Sequence, residues 1–208
     1  MNNLEQYCIE HSHEESKILK ELKKHTYAHE KAPQMISGIL VGNILSLLIQ
    51  SINAKKILEV GMFTGYSALN MAQFIDDTSE IHTCELMEEH VETAKSFFKK
   101  SKHGHKIFIH QGLALNTLEN FKINSFDFGF IDADKINYLK YYKRCIHLIQ
   151  SGGILVLDNM LWGGSVLDPK DEQSITLNNL AKIINEDKRI TNIMFPIRDG
   201  LMVCYKNE

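Results

Sequence analysis

Short β-type runs that each stop at a glycine or an acidic side chain limit most strongly what this chain can fold into. These runs, each with the residue that ends it, are 57–60 with Gly61, 81–84 with Glu85, 126–131 with Asp132 and 154–157 with Asp158. Segments with helical spacing separate the runs, and strands that alternate with helices predict a parallel, doubly wound α/β sheet covered on both faces. Ligands of such sheets bind beyond the carboxyl ends of the strands, so the terminating residues mark a candidate site.

The remainder of the chain completes this pattern. Residues 106–110 predict another strand, and Asp199-Gly200 predicts a closing hairpin that makes the last strand antiparallel. The expected architecture is a seven-stranded, mostly parallel sheet in a single domain over 1–208, with an N-terminal helical segment (1–34) and a core (35–208). Helices are predicted over 35–52, 68–72, 88–101, 114–121, 137–149 and 173–185, a turn at 151–153, and the hairpin strands at 192–196 and 201–205.

The polar, histidine-rich stretch before Pro33 predicts one or two amphipathic helices that lie on the core or on a partner subunit. The positions expected to be buried are Leu4, Tyr7, Ile9, Ile18, Leu19 and Leu22. His11 and His13 are interpreted as part of a solvated helix face, because no Cys or carboxylate is spaced to complete a metal site with them.

The composition excludes several classes of protein. The net charge is −3 with no long basic run, so a nucleic-acid partner is not expected. The four cysteines are far apart, which favours a reduced compartment over a disulfide framework. No signal-peptide pattern begins the chain, and we expect no apolar run long enough to span a membrane. A cytoplasmic location is predicted.

The glycine loop after the first strand predicts close backbone approach to a nucleotide-type ligand at a helix N-terminus, or a plain structural turn. Glu85 ends the next strand, where an acid can accept hydrogen bonds from a ribose diol. The alternative is that its carboxylate caps the following helix. The two signals together favour the ribose role.

Asp132, Asp158 and Asn159 follow strands that we expect to be neighbours. Their side chains are hard oxygen donors of the kind that Mg²⁺ and Ca²⁺ prefer, so they are candidate ligands of one divalent cation. Caps of the following helices are the alternative. Lys135 in the same loop is a candidate general base if a low-dielectric pocket depresses its pKa, and otherwise a surface lysine. Trp162 could wall an aromatic pocket or simply pack the loop.

Three stretches together resemble one family. Glu59-Val-Gly-Met-Phe-Thr-Gly-Tyr-Ser67, Asp132-Ala-Asp-Lys-Ile-Asn-Tyr138 and Gly152-Gly-Ile-Leu-Val-Leu-Asp-Asn-Met-Leu-Trp-Gly-Gly164 occur in the order found in the cation-dependent O-methyltransferases, which include the caffeoyl-CoA and catechol enzymes. The resemblance runs from about Met35 to the C-terminal segment.

That resemblance implies a class I methyltransferase fold, S-adenosylmethionine as methyl donor, a catechol-like phenolic acceptor and a homodimer. Gly163 stands where plant members carry asparagine, so a diol is implied but a CoA ester is not. The implied donor contacts are Met35, Ser37, Glu59, Gly61, Met62, Ser67, Glu85, Ala114, Asp132 and Asp134. Asp132, Asp158 and Asn159 would hold Mg²⁺ or a similar ion such as Ca²⁺ or Mn²⁺, and the implied catalytic residues are Lys135 and Asp132.

Three alternatives remain open. A nicotinamide-dependent oxidoreductase would share the glycine loop but usually carries G-x-G-x-x-G, whereas this loop runs from Gly61 to Gly65 without a glycine between. A methyltransferase acting on another acceptor, such as nucleic acid, would share the donor site. A non-catalytic binding protein could also keep this fold.

Overall fold

The computed structural model describes residues 3–208, which form a single seven-stranded sheet with helices on both faces. The helices are α1 (Asn3–Glu10), α2 (Lys17–His29), α3 (Gly38–Ser51), α4 (Tyr66–Ala72), α5 (Glu88–Lys100), α6 (Ala114–Glu119), α7 (Tyr138–Leu148) and α8 (Glu172–Glu186). The strands are β1 (Lys56–Val60), β2 (Glu80–Glu85), β3 (Ile107–Gln111), β4 (Phe126–Ile131), β5 (Ile149–Leu157), β6 (Ile190–Phe195) and β7 (Leu201–Lys206). Short 3-10 turns cover Pro33–Met35, Gly104–Lys106, Lys135–Asn137 and Trp162–Leu167.

The strand order is β3-β2-β1-β4-β5-β7-β6. Strands β1 to β5 pair in parallel, and β7 pairs antiparallel with both β5 and β6. The predicted fold class is therefore confirmed, including the antiparallel last strand. The order reverses between β1 and β4, and the carboxyl ends of these two strands flank the crevice where ligands of such sheets bind.

Two apolar cores lie on the two faces of the sheet. Successive side chains of a strand point to opposite faces, so Ile57 packs with α2 to α5 while Leu58 packs with α6 to α8. Both side chains are almost fully buried. Burial on both faces is the reason that the parallel strands are short, nearly continuous apolar runs.

The N-terminal segment corrects one prediction. Leu19 and Leu22 of α2 are buried as expected, at 1% and 0% exposure. Leu4 and Tyr7 of α1, which were expected to be buried, are 77% and 60% exposed. Helix α1 buries none of its described residues in this chain, so its amphipathic pattern has no apolar surface to cover here.

The turn predicted at 151–153 was wrong. Strand β5 already begins at Ile149, and the glycines lie inside it. Gly152 has a φ of +80°, and the pairing with β4 shifts register between Phe126 and Phe128. A local irregularity of this kind lets the strand bend without ending, which explains why a turn-like sequence continues as a strand.

The segment Pro33–Ser51 is 19 residues long and, by length and composition alone, apolar enough to cross a membrane. The expectation that no stretch reaches that length was therefore wrong. A core helix passes the same test, and here Val41, Leu45 and Ile49 of α3 pack in the first apolar core at 0–1% exposure.

The glycine loop between β1 and α4 is shaped by contacts within the protein. Gly61 has a φ of +96°, and a Cβ there would lie 2.0 Å from the carbonyl oxygen of Asp132. Gly65 has a φ of +90°, and a Cβ there would meet the ring of Phe98 at 2.7 Å. Glycine is thus required by the close approach of β4 and α5, in addition to any approach of a ligand.

Candidate active site

One cavity of about 1330 Å³ opens at the carboxyl ends of β1, β2, β4 and β5. All but one of the predicted site residues line it: Met35, Ser37, Gly61, Met62, Ser67, Glu85, Ala114, Asp132, Asp134, Lys135, Asp158 and Asn159. The exception is Glu59. The topology therefore gathers residues that are more than 120 positions apart in sequence into one site, although their individual roles remain predictions.

Glu85 is held in place by backbone groups. Its Oε2 accepts from the amide of Phe63 at 2.7 Å, and its Oε1 accepts from the amides of Leu86 and Met87 at 2.9 Å. His90 adds a contact at 3.4 Å between its Nδ1 and Oε1. The carboxylate thus binds the two amides that directly precede α5 and ties them to the glycine loop. Oε1 is occupied by these contacts, whereas Oε2 has one lone pair left to accept a ribose hydroxyl, so the ribose role stays a prediction beside this anchoring role.

Asp134 is oriented by two neighbours on the following helical turn. Tyr141 donates its hydroxyl to Oδ1 at 2.6 Å, and the Asn137 side-chain amide donates to Oδ2 at 2.6 Å. Asp134 itself is exposed at the cavity wall. A carboxylate fixed in this way is suited to accept a hydrogen bond from a cationic ligand group.

Glu59 lies behind the cavity wall and is fully buried. Thr83 donates its hydroxyl to Oε2, while Oε1 has no hydrogen-bond partner. Burial raises the pKa of this carboxyl to about 7. Glu59 does not line the cavity, whereas Ser67 does, and the contact of Glu59 with a donor stays a prediction.

Asp132 and Asp158 stand one residue beyond two adjacent strands. The amide of Asp132 donates to the Val60 carbonyl at 2.8 Å, and the amide of Asp158 donates to the Ile131 carbonyl at 3.0 Å. The sheet ladder thereby continues past the strand ends and fixes both backbones. Their carboxylates meet in the cavity, as the predicted neighbourhood of β4 and β5 required.

The two carboxylates are unequally solvated. Asp158 is buried, at 3% exposure, and its Oδ1 accepts only from the amide of Asn159, at 2.7 Å. Burial, followed by the negative charge of Asp132, raises the pKa of the Asp158 carboxyl. A buried carboxylate that faces another carboxylate favours a bound proton or a bound cation.

Lys135 is buried at 7% exposure and points its ammonium into this acidic corner. Its Nζ donates to the Ala133 carbonyl at 2.9 Å, to the Tyr138 hydroxyl at 2.6 Å and to Asp132 Oδ1 at 3.2 Å. The Nζ also lies 5.8 Å from the centre of the Trp162 ring. The alternative of a surface lysine is therefore wrong.

The donor set suits a hard cation, although no metal cluster of the usual kind is present. Within residues 3–208, no group of three or more His, Cys, Asp or Glu side chains is arranged to hold a metal ion. Asp132 and Asp158 supply two carboxylates, and Asn159 adds an amide oxygen at the same cavity wall. All three are oxygen donors, as Mg²⁺ and Ca²⁺ require.

Two loops close the cavity from above. The strap (residues 35–38) joins the Pro33–Met35 turn to α3, and Ser37 within it is buried at 6% exposure. The acceptor loop (residues 159–164) follows β5 and carries Trp162, whose indole lies partly buried at the cavity wall. Trp162 therefore both packs the loop and forms cavity wall, so neither reading of this residue excludes the other.

Sequence reasoning missed three residues at this site. Tyr138 was given no role at the site, yet its hydroxyl accepts a hydrogen bond from Lys135 Nζ. His90 contacts Glu85, and Arg198 lines the cavity from the β6–β7 hairpin. Tyr138 lies inside the quoted Asp132–Tyr138 motif, which was a usable signal. His90 lies only five residues from Glu85, but that spacing was not used, and Arg198 has no local signal because its partners are distant along the chain.

A doubly wound sheet with a glycine loop, a strand-end acid and a large cavity at the switch point defines an enzyme class that binds a nucleoside-containing ligand. A family model described as O-methyltransferase matches residues 9–207. The probable caffeoyl-CoA O-methyltransferase 1 of Dictyostelium discoideum is 34% identical over 212 residues, with 99% of this chain and 92% of the relative covered. Caffeoyl-CoA O-methyltransferase 1 of Nicotiana tabacum is 37% identical, covering 97% and 90%.

Solved structures give the same result. The O-methyltransferase from Bacillus cereus in complex with S-adenosylhomocysteine (SAH) superposes with a TM-score of 0.88 at 27% identity, covering 98% of this chain and 97% of that one. An SAH-bound methyltransferase of Podospora anserina has a TM-score of 0.89 at 26% identity, covering 99% and 94%. The chain belongs to the caffeoyl-CoA type of the O-methyltransferase family and is an S-adenosylmethionine-dependent O-methyltransferase.

Proposed function

We propose that this enzyme transfers the methyl group of S-adenosylmethionine to one hydroxyl of a catechol-like vicinal diol, with a divalent cation held by Asp132, Asp158 and Asn159. The observation that carries the proposal is the pair of facing carboxylates at the ends of β4 and β5. One of them, on Asp158, is buried, and its Oδ1 accepts from the backbone amide of Asn159. The similarity to caffeoyl-CoA O-methyltransferases supports the same acceptor chemistry.

The three oxygen donors fit a hard cation in charge and in type. When bound there, a divalent cation supplies Lewis-acid chemistry that lowers the pKa of a coordinated hydroxyl. Two carboxylates that repel each other would be stabilised together by such an ion. The amide of Asn159 adds no further charge, so the charge of a divalent cation would balance the two carboxylates.

Lys135 is the residue of this chain that handles the proton. Its Nζ is fixed by the Ala133 carbonyl and the Tyr138 hydroxyl, and it lies beside Asp132. Held there, Nζ in its neutral form accepts the proton of the acceptor hydroxyl, or as an ammonium stabilises the phenolate after ionisation. Burial raises the pKa of the Tyr138 hydroxyl, so Tyr138 stays neutral and holds Lys135 in place by accepting its hydrogen bond.

The donor side aligns the second reactant. Glu85 would accept the ribose hydroxyls, and Asp134 would accept from the amino group of the methionine part of the donor. The acceptor oxygen then attacks the methyl carbon as the carbon–sulfur bond breaks, and its electrons stay on sulfur. Most of the acceleration in such a transfer comes from holding the reacting atoms in line.

The test is methyl transfer from labelled S-adenosylmethionine to a panel of small catechols, with Mg²⁺ and then with a chelator. Activity that chelation removes and Mg²⁺ restores is expected. Donor binding without transfer to any diol would move the enzyme to another acceptor class, which is the alternative that the family allows.

Replacement of the proposed ligand gives a sharper prediction. Asp158→Ala should lower diol methylation by at least about a hundredfold while donor affinity changes little, because it removes a proposed ligand of the ion that would position the acceptor and lower the pKa of its hydroxyl. Asp168→Ala is the matched control, since Asp168 is an exposed residue paired only with Lys170 at 2.6 Å. Turnover of Asp158→Ala equal to that of the control would defeat the metal assignment.

A further inference from the structure

Arg198 is an arginine in a backbone conformation that favours glycine. Its φ is +49°, in the loop of the β6–β7 hairpin (the hairpin loop, residues 196–200). A non-glycine residue in this region carries a conformational cost, and such costs concentrate where function requires them. Gly200, two residues further on, also has a positive φ, of +90°. A Cβ there would lie 2.4 Å from Leu161, so close packing explains why this position is glycine. Packing does not explain the positive φ of Arg198 in the same way, because this residue is solvent-exposed.

The guanidinium of Arg198 reaches the strap. Its Nη1 donates to the Ile36 carbonyl at 3.0 Å and also to the Ser37 carbonyl. A Cβ built on Gly38 would lie 3.0 Å from the same nitrogen, so the strap leaves just enough room for the arginine. Charged donors make stronger hydrogen bonds than neutral ones, and here one of them holds two successive carbonyls.

The hairpin loop holds the acceptor loop at the same time. The Asp199 carbonyl accepts from the amide of Leu161 at 2.8 Å, and Asp199 Oδ1 accepts from the amide of Gly163 at 2.5 Å. Two neighbouring residues of one turn therefore bind the two loops: Arg198 binds the strap, and Asp199 binds the acceptor loop.

We propose that Arg198 is a positioning residue for donor binding. Its hydrogen bonds to the carbonyls of Ile36 and Ser37 (the clasp) hold the strap closed over the donor. The hairpin loop also binds the acceptor loop, so it links the strap to that loop. This inference rests on the proposed function, with the donor under the strap, where the family resemblance implies donor contacts at Met35 and Ser37. A strap already held in its bound conformation loses less conformational freedom when the donor binds, which raises affinity.

The test compares donor affinity with stability. Arg198→Gly removes the clasp and relieves the backbone, so the dissociation constant for SAH measured by calorimetry should rise on the order of tenfold, as expected for loss of a charged hydrogen bond. The KM for S-adenosylmethionine should rise by a similar factor, with kcat at saturating donor within about twofold. Arg198→Lys, which keeps one charged donor near the carbonyls, should bind with intermediate affinity.

A matched control separates the loss of the Arg198 hydrogen bonds from the effect of placing glycine at a position with positive φ. Asn53 has a φ of +50° in the turn between α3 and β1, away from the cavity wall. Asn53→Gly should leave SAH affinity unchanged, and the unfolding midpoints of both glycine variants should stay within a few degrees of wild type. Amides of residues 36–40 should exchange faster in SAH-bound Arg198→Gly than in the control.

Equal SAH affinity in wild type and Arg198→Gly would overturn the proposed role of Arg198. A loss of affinity that Asn53→Gly reproduces would overturn it as well. A wild type that binds SAH but methylates no vicinal diol would overturn the proposed acceptor. In that case the clasp still stands or falls on the affinity ratio alone.

Discussion

At the scale of single residues, Glu59 is a buried carboxyl with little compensation. It is fully buried, has no cationic partner among its contacts, and leaves Oε1 without a hydrogen bond. Its pKa is raised from 4.5 to about 7, mainly because burial disfavours the charged form. Between these two pH values, the folded chain keeps a proton that the unfolded chain has released. The free energy of unfolding therefore falls as the pH rises through this window.

Glu59→Gln should remove that dependence. The contribution corresponds to about 3 kcal/mol over the whole window, so the variant should gain about that much stability relative to wild type between pH 4.5 and pH 8. Urea unfolding of ligand-free protein at both pH values measures the difference, and other titrating groups cancel because both proteins contain them. A difference that is the same at the two pH values would show that Glu59 is ionised throughout.

The sequence could locate residues whose position follows from the sheet. Asp132 and Asp158 were found because strand ends are visible as apolar runs and parallel neighbours bring their ends together. Arg198 could not be found, since its strap partners lie 161 and 162 positions away and an exposed arginine in a turn carries no local signal. The burial of Lys135 also depends on the Tyr138 and Trp162 rings above it, which spacing alone does not reveal.

At the scale of elements, α2 packs into the core, whereas α1 contacts α3 without burying any of its residues. Leu22 is fully buried, and Thr26 on the same face hydrogen-bonds Thr64 at 2.9 Å. Leu22→Ala should lower the free energy of unfolding by about 2–5 kcal/mol, because it leaves a cavity under the helix. Leu4→Ala, its matched control on α1, should change it by less than about 0.5 kcal/mol.

Denaturant unfolding at several protein concentrations checks this prediction. A large, concentration-dependent effect of Leu4→Ala would show that α1 packs on a second copy, in the homodimer that the family resemblance implies. The amphipathic pattern of α1 predicted a helix correctly. It could not predict what the helix covers, because hydrophobic periodicity specifies a face and not its partner.

At the scale of the whole molecule, the donor should stabilise the entire domain. Ligand at one hundred times its dissociation constant adds about 2.7 kcal/mol to the free energy of unfolding, which corresponds to an increase in Tm of about 5–10 °C for a chain of this size. Thermal unfolding with S-adenosylmethionine should show this shift, and NAD at the same concentration should show none. A shift with NAD instead would restore the oxidoreductase alternative.

The fold as a whole was accessible from sequence because each level of the pattern agreed with the others. Alternating strands and helices predicted the class, and the Asp199-Gly200 turn predicted an antiparallel last strand, whereas the position of β7 between β5 and β6 was not predicted. The start of β5 was not accessible, since its glycines resemble a turn and only the register shift against β4 shows that pairing continues.

The clasp between the hairpin loop and the strap also has a consequence for biosynthesis. Translation runs from the N-terminus, so β1, β2, β4 and the strap leave the ribosome long before Arg198, which joins the strap across 161 residues. A nascent chain can therefore assemble most of the cavity wall before the strap is held by its hydrogen bonds to Arg198. Tight retention of the methyl donor would then coincide with the emergence of the β6–β7 hairpin, and a half-made chain would not sequester the cofactor.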